Sequence, residues 1–341
     1  MMKVVLPLMK TSSLPDQKRA SAATFDDDNA ADSTLVIDAD EADEEGVLPC
    51  VLSFNANDPS GAGGLAADAL AVASCGAHLV AVVTGAYARD TSEIFDHFAF
   101  DEHAVDEQAR AILQDVPVQV IKVGFVGNPE LLGRVAEACS DYAQLPVVAY
   151  MPDLSWWNED DIDAYLDAFR DLLLPQTTIL VGNHATLRRW LLPDWQGERG
   201  PSARDIAVAA GAFDVPYALV TGLAQGDTHF ENVLASPNSV ICREKFERLP
   251  AAFAGAGDTL SAALAALIAG GADLAAAASE ALSYTDRCLE AGYRPGMGQL
   301  LPNRLFWAAS EDEADAGGDT STTAAAASAD DFALPPHQTR H

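Results

Sequence analysis

The run Phe253-Ala254-Gly255-Ala256-Gly257-Asp258-Thr259-Leu260-Ser261-Ala262-Ala263-Leu264-Ala265-Ala266-Leu267 sets a glycine-flanked loop directly against a segment of strong helix formers. A loop that drops onto a helix N-terminus presents unpaired backbone N–H groups and the positive end of the helix dipole, and both attract anions. Gly255 and Gly257 let the backbone approach a phosphate with no Cβ in the way. Asp258 is the odd residue there, because its charge repels a bound phosphate. It can, however, take a proton from a hydroxyl that attacks the phosphate. The plainer alternative is that Asp258 only caps the helix.

Working outward, a second glycine-rich stretch lies about two hundred residues upstream. Cys50–Asp68 reads CVLSFNANDPSGAGGLAAD: a short apolar strand, a D-P-S-G turn, and a helix carrying Asp68. Between and beyond the two stretches the pattern is regular. Strands are expected over Cys50–Asn55, Leu79–Thr84, Gln119–Val123, Val147–Met151, Thr178–Val181 and Tyr217–Thr221. Helices are expected over Leu65–Cys75, Ala104–Gln114, Glu130–Tyr142, Asp161–Leu173 and Arg204–Phe213. Near-continuous apolar strands alternating with helices predict a mostly parallel sheet covered on both faces. Thr228–Leu234 and Ser239–Arg248 predict an antiparallel hairpin. Helices Asp258–Ala269 and Leu274–Ala291 follow, with Asp273 as cap of the second.

Composition narrows the partners. The formal net charge is −31, which argues against nucleic acid or an anionic membrane surface as partner. Residues 1–47 hold eleven acidic against four basic residues and residues 308–341 seven against one, so −7 and −6 leave about −18 for the middle. Both ends are low in complexity and are expected to be disordered, with Leu35-Val36-Ile37 as a weak strand candidate. Five scattered cysteines form no C-x-x-C or Cys/His cluster, so neither a disulfide framework nor a zinc site is expected. Met1–Lys10 lacks a signal-peptide core, no apolar run reaches membrane length, and the expected compartment is the cytoplasm.

Together the two glycine motifs resemble the ribokinase-like superfamily of ATP-dependent kinases. Within it they are most similar to the hydroxymethylpyrimidine and phosphomethylpyrimidine kinases of thiamin biosynthesis. The D-P-S-G-G-A-G-x-x-A-D signature of those enzymes is matched by Asp58–Asp68, and their G-x-G-[CD]-T-x-S-A-A-L by Gly255–Leu264. The resemblance implies a three-layer α/β sandwich over residues 48–307, with a mostly parallel central sheet and helices on both faces. It implies ATP and Mg2+ as cofactors and a small pyrimidine as substrate, and it leaves a homodimer open. Gly255, Ala256 and Gly257 become the anion hole and Asp258 the general base. Substrate contacts fall on Ala56, Asp68, Tyr87, Arg89 and Phe125, and nucleotide contacts on Asn183, Thr221, Gly222 and Thr259. Lys122-Val123-Gly124 matches the family's K-[IV]-G.

Four departures bear on chemistry. Arg89-Asp90-Thr91 stands where the family has Q-N-T, so a cation replaces an amide and favours a negatively charged acceptor. Ala149-Tyr150-Met151-Pro152 replaces L-D-P-V, putting Tyr150 in place of an acid near metal and phosphates. Thr186 replaces a Glu that helps hold magnesium, and Thr221-Gly222-Leu223 replaces K-G-G and its Lys. Asp153 and Asp227 lie near two of these positions. The alternative function is therefore a catalytically degenerate homologue that binds a nucleotide or pyrimidine, and the metal ligands stay unassigned.

Overall fold

Cys50–Asn57 (β1) has every residue but the last buried, and its alternate side chains go to different layers. Leu52 and Phe54 pack on one face of the sheet with Ile121, Ala149 and Leu180. Val51 packs on the other with Val120, Val148 and Leu219. A strand covered on both sides has no reason to alternate in polarity, so it reads as one apolar run. The computed structural model describes residues 48–308. The expectations for residues 1–47 and 309–341, the Leu35–Ile37 strand included, lie outside them.

The remaining elements, in order, are Gly64–Ser74 (α1), His78–Arg89 (β2), Ile94–Ala99 (β3), Glu102–Leu113 (α2), Val118–Val123 (β4), Pro129–Asp141 (α3), Val147–Met151 (β5), Glu159–Ala168 (α4), Ile179–Asn183 (β6), His184–Leu191 (α5), Ala203–Gly211 (α6), Tyr217–Gln225 (β7), His229–Ala235 (β8), Val240–Glu247 (β9), Ala256–Ala269 (α7) and Leu274–Glu290 (α8). One nine-stranded sheet runs β3-β2-β1-β4-β5-β6-β7-β8-β9. Its strands from β2 to β7 pair in parallel. β3 at one edge, and β8 and β9 at the other end of the sheet, pair antiparallel. Helices α2, α3, α4 and α6 supply one outer layer through residues such as Val105, Leu131, Tyr165 and Ile206. α1, α7 and α8 supply the other. The expected three-layer α/β sandwich is what forms.

Leu260 to Ala266 of α7 are all buried. The helix is walled by the sheet, α1 and α8, and alanine side chains let those neighbours come close, so its apolar residues form core rather than an interaction surface. Asp273 caps α8 as expected, accepting from the N–H groups of Ala275 and Ala276 at 3.1 Å. Two elements go beyond the sequence reading: β3 and α5. The chain order also places the site. From β1 the sheet grows to β2 on one side and to β4 on the other, and a crevice opens at the carboxyl ends of strands where the order reverses in this way.

Candidate active site

Both glycine motifs meet at the crevice beside β1 and β4. The D-P-S-G turn is built around Asp58, whose Oδ1 accepts from the Ser60 N–H at 2.8 Å and hydroxyl at 2.6 Å. Its Oδ2 accepts from the Gly63 N–H at 2.9 Å and from Arg89 at 3.2 Å. Gly255 follows with φ +85°, and a Cβ there would lie 1.5 Å from the Ala62 carbonyl oxygen, so only glycine lets the two loops touch. Arg304, 3% exposed, fastens them. It donates to the Thr259 hydroxyl at 2.9 Å, to the Gly61 carbonyl at 3.1 Å and to the Ala62 carbonyl.

Asp258 is not the helix cap. Gly255 occupies that position without a side-chain bond, and Asp258 is the third residue of α7. The N–H groups of Ala256, Gly257 and Asp258 therefore have no partner within the helix and face the crevice. The Asp258 carboxylate turns to the sheet instead. Its Oδ1 accepts from Asn55 and from the Lys122 ammonium, each at 2.9 Å, while Oδ2 lies over Gly63. A Cβ on Gly63 would fall 2.6 Å from that oxygen. The side chain keeps 17% of its surface exposed, and Lys122 keeps none.

Lys122 is shared. It also donates to both oxygens of Asp68, at 2.8 and 3.0 Å, and Asp68 further accepts from Ser53 at 2.7 Å and Asn55 at 3.0 Å. Two carboxylates on one ammonium leave one surplus negative charge. Burial pushes the Asp68 carboxyl up, against the pull of Lys122. At Asp258 burial pulls upward too, but the Lys122 charge and hydrogen bond and then Asn55 outweigh it and hold the carboxyl below its ordinary range. Asp258 thus carries the ionised charge, and its Oδ2, beside the Gly63–Gly64 backbone, takes no side-chain hydrogen bond.

Several expected contacts sit elsewhere. Asp68 has no exposed surface and its oxygens are spent on Ser53, Asn55 and Lys122, so it backs the base rather than facing the crevice. Ala56 is likewise fully buried. Thr259 is buried, its hydroxyl donating to the Gly255 carbonyl at 2.8 Å and accepting from Arg304, so it shapes the loop from behind. Arg89 is not a free cation, since Asp58 neutralises it. Phe125 is buried at the centre of an aromatic cluster, stacked on Tyr87 at 5.7 Å and edge-on to Trp156 and Trp157 at 5.6 and 5.3 Å. Tyr87, Trp156 and Trp157 are half-buried members of that cluster.

On the other flank, Asn183, Thr221 and Gly222 line one cleft of about 280 Å³ together with Ala256, Gly257, Phe230, Phe246 and Leu282. This brings the expected nucleotide contacts, Thr259 excepted, to the anion-hole loop. The unpaired N–H groups, Gly257 and the apolar wall fit a nucleoside triphosphate. Asp286 lines the same cleft, its carboxyl pushed up to about 6 by burial and then by Glu290. The described residues form no all-protein magnesium cage, although magnesium at a phosphate site needs only one or two carboxylates beside the phosphates. Among the described residues no three His, Cys, Asp or Glu side chains gather as a cage. Asp153, in the adjoining cleft with Tyr150, Asn183 and Thr186, is an exposed carboxylate bonded to Ser155 and Arg189. Asp227 lies in the β7–β8 turn. Asn55, Asp58 and Arg304 are the functional residues the sequence reading missed. For Asp58 alone a signal existed, because Asp-Pro-Ser-Gly is an Asx-turn sequence.

A crevice pairing an ionised carboxylate with an anion-binding helix end, on this strand order, defines a small-molecule kinase fold. The family described as phosphomethylpyrimidine kinase matches residues 58–303, and the chain belongs to that family. It is 28% identical over 264 residues to the hydroxymethylpyrimidine/phosphomethylpyrimidine kinase of Mycobacterium tuberculosis, a match covering 76% of this chain and 94% of the relative. Among solved structures it is similar to the ADP complex of Bacillus subtilis pyridoxal kinase, with TM-score 0.67, 20% identity, and 76% and 99% of the two chains covered. It is also similar to phosphomethylpyrimidine kinase from Clostridium difficile, with TM-score 0.56, 18% identity and 69% and 98% coverage. No helix among the described residues is long and apolar enough to cross a membrane.

Proposed function

We propose that the protein transfers the γ-phosphoryl group of ATP to the hydroxymethyl oxygen of a hydroxymethylpyrimidine, or to a phosphate oxygen of its monophosphate, in the pyrimidine branch of thiamin biosynthesis. The observation that carries this reading is the Asp258 carboxylate, held ionised by Lys122 at the mouth of the α7 anion hole. With the alcohol as acceptor, its hydroxyl gives its proton to Oδ2 of Asp258 while its oxygen bonds to the γ-phosphorus. The bond from the γ-phosphorus to the bridging oxygen breaks, and ADP leaves with that electron pair. The N–H groups of residues 256–258 take the charge that gathers on the equatorial oxygens. Tyr87 and the Phe125 cluster offer a flat aromatic wall for a ring substrate.

A second reading has its own observation. Tyr150 and Thr186 stand where acids were expected, so a nucleotide-binding homologue without turnover is the competing account. Release of ADP by purified protein with Mg·ATP separates them, tested against hydroxymethylpyrimidine, its phosphate, pyridoxal and simple sugars. The kinase reading predicts release stimulated by a pyrimidine. Nucleotide binding with no release on any acceptor supports the competitor.

A further inference from the structure

Tyr150 ends one strand short of the Asp258 crevice, on β5, and its ring lies on the anion-hole loop. A Cβ built on Gly257 would fall 2.1 Å from the Tyr150 hydroxyl oxygen, so the second anion-hole residue has to be glycine for this phenol to sit there. The hydroxyl is not locked away. Tyr150 is only part-buried and lines a cleft of about 400 Å³ with Asn183, Asp153, Thr186 and Arg189. Asn183 lines the nucleotide cleft as well, and so does Gly257, against which this ring lies, so the two spaces adjoin here.

We propose that the Tyr150 hydroxyl is a catalytic donor that completes the anion hole, hydrogen-bonding a γ-phosphoryl oxygen of the bound nucleoside triphosphate. This rests on the kinase reading above and extends it to a residue that stands where the resemblance places an acid. Three observations support the assignment. First, the hydroxyl is adjacent to the helix end whose N–H groups are unpaired. Second, it is free to donate: burial, and then the charges of Asp258 and Asp153, push the phenol above its ordinary range, and no hydrogen bond contributes to that shift. A neutral donor is what a crowd of anions calls for. A carboxylate at this position adds a negative charge beside the phosphates unless a metal offsets it, whereas a phenol offers its proton and adds none. Third, among the described residues no three His, Cys, Asp or Glu side chains gather here to cage a cation, so the chain's own donors meet part of the phosphoryl charge.

The assignment makes the γ-phosphoryl group, not the nucleotide as a whole, the partner of Tyr150. Calorimetric titration of full-length wild-type protein and Tyr150→Phe with ADP and with AMP-PCP tests this directly. Phenylalanine keeps the ring against Gly257 and removes only the hydroxyl. AMP-PCP, which retains the γ-phosphoryl group, is expected to bind Tyr150→Phe about tenfold more weakly than wild type, as befits one lost hydrogen bond to a charged oxygen. ADP is expected to bind both proteins alike. If AMP-PCP binds both alike, or both nucleotides weaken together, Tyr150 only packs the loop and the assignment is overturned while the kinase reading stands. Wild-type protein that binds neither nucleotide overturns both.

Discussion

Lys122 is the residue on which the site balances. Its ammonium, fully buried, is held by Asp68 and Asp258, and each carboxylate is tolerated inside the protein because the other partner is there. Removing the cation strands two acids, and breaking a buried pair in this way costs about 3–5 kcal/mol. Urea unfolding of Lys122→Met should show a loss of that order, and adding Asp68→Asn should recover part of it. A loss under about 1 kcal/mol would mean the acids do not depend on the lysine. The same geometry fixes the pH dependence. A carboxyl held below its ordinary range is ionised at neutrality, and the base form is lost only as pH falls below the usual carboxylate range. At saturating ATP, where the Asp286 carboxyl near 6 is kept out of the measurement, kcat should be flat on its acid side from about pH 8 to 5. An acid limb near pH 6 would point to a different base. Little of this network was legible in sequence, because its polar partners are far apart along the chain. Asn55 reaches Asp258 across 203 positions and Arg304 reaches Ala62 across 242. The glycine loop and Asp258 were legible because a loop, its charge and its helix are contiguous.

At the scale of elements, α7 shows how a helix start is set by its neighbours. Gly257 to Ala raises helix propensity by up to about 1 kcal/mol. It also drives a methyl group into Tyr150, and overpacking of this kind costs about 1–3 kcal/mol. The clash should win: Gly257→Ala should lower the thermal transition, and Tyr150→Ala in the same chain should restore it. Restoration failing would show that the Tyr150 contact is not what requires glycine. The elements that the sequence reading found are those with unbroken apolar runs or glycine punctuation. β3 was missed because an edge strand is half solvated, with Phe95 and Phe98 61% and 59% exposed, so its pattern carries acids and aromatics together. α5 was missed because it has eight residues, and its cap Asn183, which accepts from the Ala185 N–H at 2.9 Å, is also the last residue of β6. Asp258 was open to reading as a cap because an acid after glycines suits that role. The αL conformation of Gly255 moves the cap three residues earlier.

For the whole molecule, the elements of the described residues run from Cys50 to Ala308, while the ends are acidic and low in complexity. Removing residues 1–46 and 310–341 should leave a cooperatively folding protein, checked by its thermal transition. Loss of that transition, or aggregation where the full chain stays soluble, would assign the ends a structural role. The fold then leaves one claim at the centre of the account, that Asp258 takes the acceptor's proton. Asp258→Asn keeps the size of the side chain and the Asn55 and Lys122 neighbours, and it leaves Lys122 paired with Asp68 alone. The direct measurement is acceptor-dependent ADP release by wild type and Asp258→Asn at saturating Mg·ATP and hydroxymethylpyrimidine, with ADP affinity measured alongside. The account predicts a rate lower by roughly 10²–10⁴-fold, the usual worth of a positioned base, with ADP affinity held or raised. Turnover within a few-fold of wild type would contradict it.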